Sequence, residues 1–448
     1  MENAAGQASL PARPALFSSP STLWPIPTQR IEGDKVVEET LRKNVQMPEL
    51  EAGFSMDGAR EDESGLDCLN LSTIVGPDGS VNLTQEHMVY LDDEGNPAIR
   101  ICGYQYHLST EPYGSIAMNV EGDSINIYCE NSTLIEGNDY NYGFFGDWRA
   151  PRASVRNCHL QHFLHGVKFA TIGRIESNLI QDCPNGAAID LGCGQQDAGY
   201  VSNNRIESSY IGIGKACAML YEADNITLDS NEIMNTTRYG IIGSNVVITN
   251  NSIHGPCSTG ISTSSVYRSK VIGNTVDSCA NISIRASYMP FAGNHPLSLH
   301  VETNHVMGSK HGIVVDYRNM PEPDLSSNYL IKNNVVRGFW GWGIIVDGEN
   351  HAYSIIGSIV EGNTVSNSNL SIGIVDEAND ITVRNNNMDH SLGYGLFCTN
   401  ATGVSWRCND CHGGQAYNDQ CAPAAFCQKC GSSSPAFIVT KPKYSLPQ

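Results

Sequence analysis

The sequence predicts an all-β chain wound as a right-handed parallel β-helix, and three observations predict it. The first is a repeat: an Asn, an apolar residue two positions on, then a Gly eight to ten residues later that opens a short apolar run. The second is composition. Gly is abundant at 43 residues and Asn is frequent, which suits many short strands and tight turns rather than helices. The third is an echo: EADNITLDSN (222–231) and EANDITVRNN (377–386) occupy the same phase of the repeat. Repeats of 20 to 30 residues, each with two or three short strands, mean a solenoid.

Residues 1–65 are rich in Pro and Ser and are expected to form an extended arm or cap. From 66 to 150 come strand-like runs with turn signals: SVNLT, AIRICGYQYHL, SIAMNV and SINIYC. The repeat follows, as Asn178…Gly186, Asn204…Gly212, Asn231…Gly240 and Asn251…Gly260, then Asn304…Gly312, Asn334…Gly343, Asn363…Gly373 and Asn386…Gly395. Asn157 and Asn274 are weaker members. Each repeat is expected to be one coil of a helix of about twelve coils spanning 66–405, its strands bonded to equivalents about 4.8 Å above and below. Asn should recur because it tolerates left-handed backbone and its amide can bond the next coil. Gly should open a strand where the chain turns tightly. The residues after the glycines, Ile213, Ile241, Ile261, Ile313 and Ile344, should be buried. Residues 406–448 form a Cys-rich C-terminal module and tail.

The repeat resembles the pectin-lyase-like superfamily over about residues 66–405. That resemblance implies a parallel β-helix whose substrates lie along one strand stack, here the Gly-initiated strands. The superfamily holds polysaccharide lyases, glycoside hydrolases, uronan epimerases, phage tailspikes and non-catalytic surface domains. Its enzyme signatures are mostly missing here. The Asn-Thr-Asp, Asp-Asp, Gly-His-Gly and Arg-Ile-Lys set of polygalacturonases is not present as a set. His165-Gly166 and His311-Gly312 are halves of its third member. The Asp-Pro-His-Glu of alginate epimerases is absent as well. The resemblance therefore implies a carbohydrate-interacting domain, architectural or adhesive, with a glycan-cleaving enzyme as the alternative.

Candidate site residues follow from this chain's own pattern. Val-Asp-x-x-Asn occurs in three successive repeats, as Val315-Asp316…Asn319, Val346-Asp347…Asn350 and Val375-Asp376…Asn379. Asp316, Asp347 and Asp376 should stack one coil apart, near the carboxylate separation of retaining glycosidases. The same pattern also reads as an Asx-turn ladder or as a Ca²⁺ site. Tyr140, Tyr142, Trp148, Trp340 and Trp342 could stack on sugar rings, with Arg318 beside them. Core or interdomain packing is the alternative. Lys168, Lys215, Arg285 and Arg318 are weaker candidates for acid–base roles. His159, His162 and His165 could hold zinc only if two of them converge with a third ligand.

With 15 cysteines, the chain points to an oxidising compartment. Cys398, Cys408, Cys411, Cys421, Cys427 and Cys430 are expected mostly as disulfides, although Cys408-x-x-Cys411…Cys427-x-x-Cys430 also matches zinc-ribbon spacing. Nine sequons agree with secretion: Asn70, Asn82, Asn131, Asn225, Asn235, Asn250, Asn281, Asn369 and Asn400. An extracellular or cell-surface place is expected, though MENAAGQASLPARP has no signal-peptide pattern. A net charge of −20 disfavours nucleic acid and anionic membranes, and no run is long and apolar enough to span one. The expected partner is a glycan or another extracellular protein, with self-assembly possible.

Overall fold

The computed structural model describes residues 68–108, 114–147, 152–192, 199–215, 226–265, 268–288, 297–317, 327–348, 357–376, 378–389 and 391–412, with the strands Gln415–Asp419 and Ile438–Val439. The expected arm over 1–65 and most of the Cys-rich module lie outside these residues. The chain divides into Met1–Glu63 and Ser64–Gln448, and the second unit holds everything described.

Apart from two short 3-10 turns, every regular element among the described residues is a strand. One coil shows the plan. Asn304 leads a short strand, His305–Met307. The Gly-initiated strand His311–Tyr317 follows, and then a third strand, Ser327–Lys332. The first two positions stack into a 23-stranded sheet and the third into a 14-stranded one. Apart from the opening hairpin Tyr90–Leu91 with Pro97–Ile101, the strand pairings are parallel. The inward residues Ile213, Ile241, Ile261, Ile284, Ile313, Ile344 and Ile372 are register partners in turn, and all are fully buried. The expected burial of the residues after the glycines holds.

The asparagines form the expected ladder. Asn178, Asn204, Asn231, Asn251, Asn274, Asn304, Asn334, Asn363 and Asn386 are all buried. Each Oδ1 accepts from the previous rung. Asn334 Oδ1, for example, takes the backbone N–H of Asn304 at 2.9 Å and its Nδ2 at 3.0 Å. Each Nδ2 also donates to a backbone carbonyl, as Asn334 does to Val301 O at 2.8 Å. Asn409 adds a last rung. At the other end Cys158, not Asn157, holds the rung position and donates its N–H to Asn178 Oδ1.

The left-handed backbone expected of these asparagines belongs instead to the residue before each one. Ser177, Asn203, Ser230, Asn250, Thr303, Asn333 and Asn385 have φ between 54° and 57°, and Gly273 and Gly362 fill the same place. The turn thus divides the labour: one residue reverses the chain and the next bonds the neighbouring coil.

The glycines also differ from expectation. Gly212, Gly240, Gly260, Gly312 and Gly343 are not needed for their backbone angles. A Cβ on Gly343 would sit 2.4 Å from Val365 Cγ1 and 2.8 Å from Ser371 O. They are glycine because an inward side chain and a backbone carbonyl of the next coil pack against them. Two were placed out of phase. Ala188, not Gly186, pairs in the glycine column with Gly212, and Ser371, not Gly373, pairs with Gly343. Gly343→Ala should cost about 1–3 kcal/mol through overpacking. Chemical denaturation checks this by a lower midpoint at unchanged slope.

Disulfides tie neighbouring coils at Cys68–Cys102, Cys129–Cys158 and Cys257–Cys279. Cys398, Cys408 and Cys411 are disulfide-bonded as expected, while Cys421, Cys427 and Cys430 lie outside the described residues. Cys183 is a free, buried thiol, and burial pushes its pKa up to about 12.

Candidate functional site

The outward side chains of the Gly-initiated sheet form columns, because parallel strands in register place equivalent residues above one another. In one column Phe145, Lys168 and Asp190 are successive register partners, and in the next Tyr142 pairs with His165. Three coils thus bring five functional side chains to one patch. Lys168 Nζ lies 3.2 Å from Asp190 Oδ2 and 4.7 Å from the centre of the Tyr142 ring. Tyr142 stacks on His165 at 5.3 Å and leans on Phe145 at 5.7 Å. All five are half-buried. Gly143 and Gly166 let these coils approach: a Cβ on Gly143 would lie 2.3 Å from Gly166 O.

Burial lowers the His165 pKa to about 4 and Lys168 adds to that, while Asp190 opposes them. The ring is neutral at ordinary pH. Its Nδ1 accepts the Ala187 N–H at 3.3 Å, so the proton sits on Nε2. Nδ1 is also 3.5 Å from Asp190 Oδ2, a contact without a proton to share. The patch therefore offers an ammonium donor, a carboxylate acceptor, an Nε2–H donor and two aromatic faces.

Further along the same face, Arg285 Nη2 and Ser287 Oγ both donate to the Asp316 carboxylate. Asp316 pairs in register with Asp347, as expected, and the pair lies on adjacent coils. Asp376 does not join them. Val375 is the register partner of Asp347, and Asp376 lies one residue beyond it with φ 48°. The expected line of three carboxylates is thus two. Asp316 also bonds residues of the preceding coil rather than capping its own turn, and it is 3% exposed. Its lone pairs are engaged by a cation already, and no group of three or more metal-ligating side chains is assembled among the described residues.

His311 repeats the His165 position. Its Nδ1 accepts the Trp342 N–H at 3.3 Å, and burial with Lys310 beside it lowers its pKa to about 4. Trp342 lies across Gly373 and meets Phe397 edge-on at 5.3 Å. Here the face turns apolar, with Ile345, Val375 and Phe397 packed together. Trp340 is 67% exposed, with Lys310 Nζ 5.2 Å from its ring, and Tyr140 is half exposed. Trp148 and Arg318 lie outside the described residues. Lys215 is buried, following Gly214 on the inward side of the strand end, so it is not on this face. His159 and His162 bond Gln181 and Asp139 and do not converge with His165 on a shared ligand site.

Among the sequon asparagines, Asn82, Asn131, Asn235, Asn250, Asn281, Asn369 and Asn400 are exposed. Asn70 is half-buried and accepts the Ser72 N–H, and Asn225 is outside the described residues.

A family profile described as right handed beta helix region matches residues 145–287 and 193–356. The chain is a right-handed parallel β-helix protein. Its β-helix is similar to the A-module of an Azotobacter vinelandii mannuronan C-5 epimerase, at 12% identity and TM-score 0.52, over 75% of this chain and 98% of that one. A PL6 alginate lyase in complex with a trisaccharide matches at 12% identity and TM-score 0.44, over 77% and 88%. A tailspike mutant of E. coli bacteriophage HK620 matches at 14% identity and TM-score 0.49, over 85% and 72%. At such identities the likeness is one of fold. No curated relative matches the chain.

The Lys168 patch was only partly legible beforehand. Lys168 and His165 stood out, but Asp190 did not. The signal was register: counting from Ala188 instead of Gly186 puts Asp190 directly above Lys168.

Proposed function

We propose that the chain is a carbohydrate-binding β-helix whose ligand lies on the outward face of the Gly-initiated sheet. The observation that carries this reading is the convergence of Tyr142, Phe145, His165, Lys168 and Asp190 from three consecutive coils. Aromatic faces take the apolar side of a sugar ring. The flanking ammonium, carboxylate and Nε2–H take its hydroxyls, which donate and accept together. The fold-sharing epimerase module, by its name, acts on a polysaccharide, in agreement with this use of the scaffold. Disulfides between coils suit an extracellular or cell-surface place, where the exposed sequons could carry glycans of their own.

The test is a printed glycan array, followed by titration of whatever glycan is retained. Tyr142→Ala and Lys168→Ala should each weaken binding about tenfold or more, since a lost stacking or charged hydrogen bond is worth about 1.5–3 kcal/mol. Their melting temperatures should match the wild type. An array that retains nothing overturns the reading.

Glycan cleavage is the second reading, and one observation favours it: Asp316 and Asp347 are register partners on adjacent coils. Loss of turnover in Asp347→Asn, with binding intact, would establish it.

A further inference from the structure

We infer that the ligand is a neutral, linear glycan running along the solenoid axis between two ion-pair stations five coils apart. The inference rests on the carbohydrate reading above and names its ligand class. The first station is Lys168 with Asp190, and the second is Arg285 with Asp316. Both cations occupy one column. Lys168, Asp190, Gly214, Ile242, Ser262 and Arg285 follow as register partners in turn. Five coil steps at about 4.8 Å separate the cations by about 24 Å. An extended pyranose chain advances roughly one coil spacing per ring, so the stations are spanned by about five rings.

The pairing decides the charge of the ligand. Each cation of this column already has a carboxylate partner, so each station is close to neutral. A vicinal diol suits such a pair, because one hydroxyl oxygen accepts from the cation while the other hydroxyl donates to the carboxylate. A uronate would instead set its own carboxylate against Asp190 and beside Asp316, and like charges at contact are costly. At the second station the Asp316 side chain is buried and that of Arg285 is 26% exposed, so the guanidinium is the member that reaches the ligand, with its charge already matched.

The stretch between the stations agrees. Its column carries Gly214, Ile242 and Ser262, and its flanks carry Tyr239, Thr259, Ser244 and Ser264. None of these is charged. Arg238 and Lys310 stand at the edge of the face, occupied by the rings of Tyr210, Tyr239 and Trp340. The chain's net charge of −20 works in the same direction, repelling a polyanion before contact.

The test uses two matched pairs of β-1,4-linked hexamers that differ only at C6: cellohexaose with the cellouronate hexamer, and mannohexaose with the mannuronate hexamer. Isothermal titration of the full chain should show a neutral member binding at least tenfold tighter than its uronate. Its affinity should change less than twofold between about 50 mM and about 500 mM sodium chloride, because no net charge is neutralised. Arg285→Ala should weaken the hexamer but leave the matching trimer unchanged wherever the trimer occupies the Lys168 station. Asp190→Asn, which releases Lys168, should raise uronate affinity. Tighter and salt-sensitive binding of a uronate to the wild type overturns the inference while leaving the carbohydrate reading intact. Binding of neither member of either pair also overturns it, and the array then decides the carbohydrate reading separately.

Discussion

Asn334→Ala should lower stability by about 3–5 kcal/mol. The side chain sits mid-ladder and is fully buried. Its Oδ1 accepts two donors from Asn304, and its Nδ2 donates to Val301 O and to Asn363 Oδ1. Alanine leaves the Asn304 backbone N–H and one of its two Nδ2–H bonds without an acceptor, the other staying on Val271 O, and it removes a donor from Val301 O, where water has no access. Each stranded buried group costs about 1–3 kcal/mol. The loss should also spread, because a solenoid is stabilised by nearest-neighbour contacts between coils. Amide exchange should therefore speed up first in the coils around 304 and 363. Asn157→Ala is the control: Asn157 precedes the rung and holds only a left-handed turn. Equal losses at the two positions would show that the ladder has no special weight.

That contrast also shows how the fold was readable from the sequence. The asparagine recurs because a buried amide must find a partner in each neighbouring coil, so its spacing reports coil length directly. The ladder read correctly from Asn178 to Asn386. It ran out at its ends, where Cys158 supplies only its backbone N–H and where Asn409 falls in the Cys-rich stretch. Glycine was a poorer guide because it answers two different demands. Gly343 is small to admit an inward valine, whereas Gly373 lies outward beneath the Trp342 ring. The letter is the same and the phase is not. Asp316 and Asp347 lie four residues after Gly312 and Gly343 but Asp376 lies five after Ser371, and the shared Val-Asp-x-x-Asn letters hid that slip. Taking Gly186 for a repeat glycine hid Asp190. A strand pair read two residues out of phase still keeps its hydrophobic alternation, because the side-chain period is two. The burial pattern therefore survived the error and the site did not.

Arg156→Ala should cost about 3–5 kcal/mol at neutral pH, and the cost should shrink in acid. Arg156 and Asp92 are buried together near the start of the solenoid, and the Arg156 Nη2 group bonds Asp92 Oδ2. Asp92 opens the tight turn between Tyr90–Leu91 and Pro97–Ile101, with its Oδ1 accepting the N–H groups of Glu94 and Asn96 at 3.0 and 2.7 Å. Arg156 Nη1 also reaches Glu94 at 3.2 Å, so one guanidinium ties the hairpin turn to a strand two places further along the same 14-stranded sheet. Burial by itself would raise the Asp92 pKa. The hydrogen bonds from Asn96 and Asn126, with the Arg156 charge, outweigh burial and hold it at about 2. Removing the arginine leaves a buried carboxylate without its cation, the costly way to break such a pair. The sign with pH follows. The folded value lies below the ordinary one near 3.8, so the wild type holds this contribution above pH 4 and loses roughly 2 kcal/mol of it as pH falls toward 2. His165 and His311, lowered to about 4 by burial, weaken both proteins equally as pH falls below 6.5 and cancel in the difference. Urea denaturation from pH 8 to pH 2.5 should show a gap between wild type and variant that is flat down to about pH 5. Below pH 4 the gap should narrow, because protonated Asp92 no longer needs its cation. A gap that stays constant through pH 3 would mean that Arg156 stabilises the hairpin by packing its stem, not by its charge.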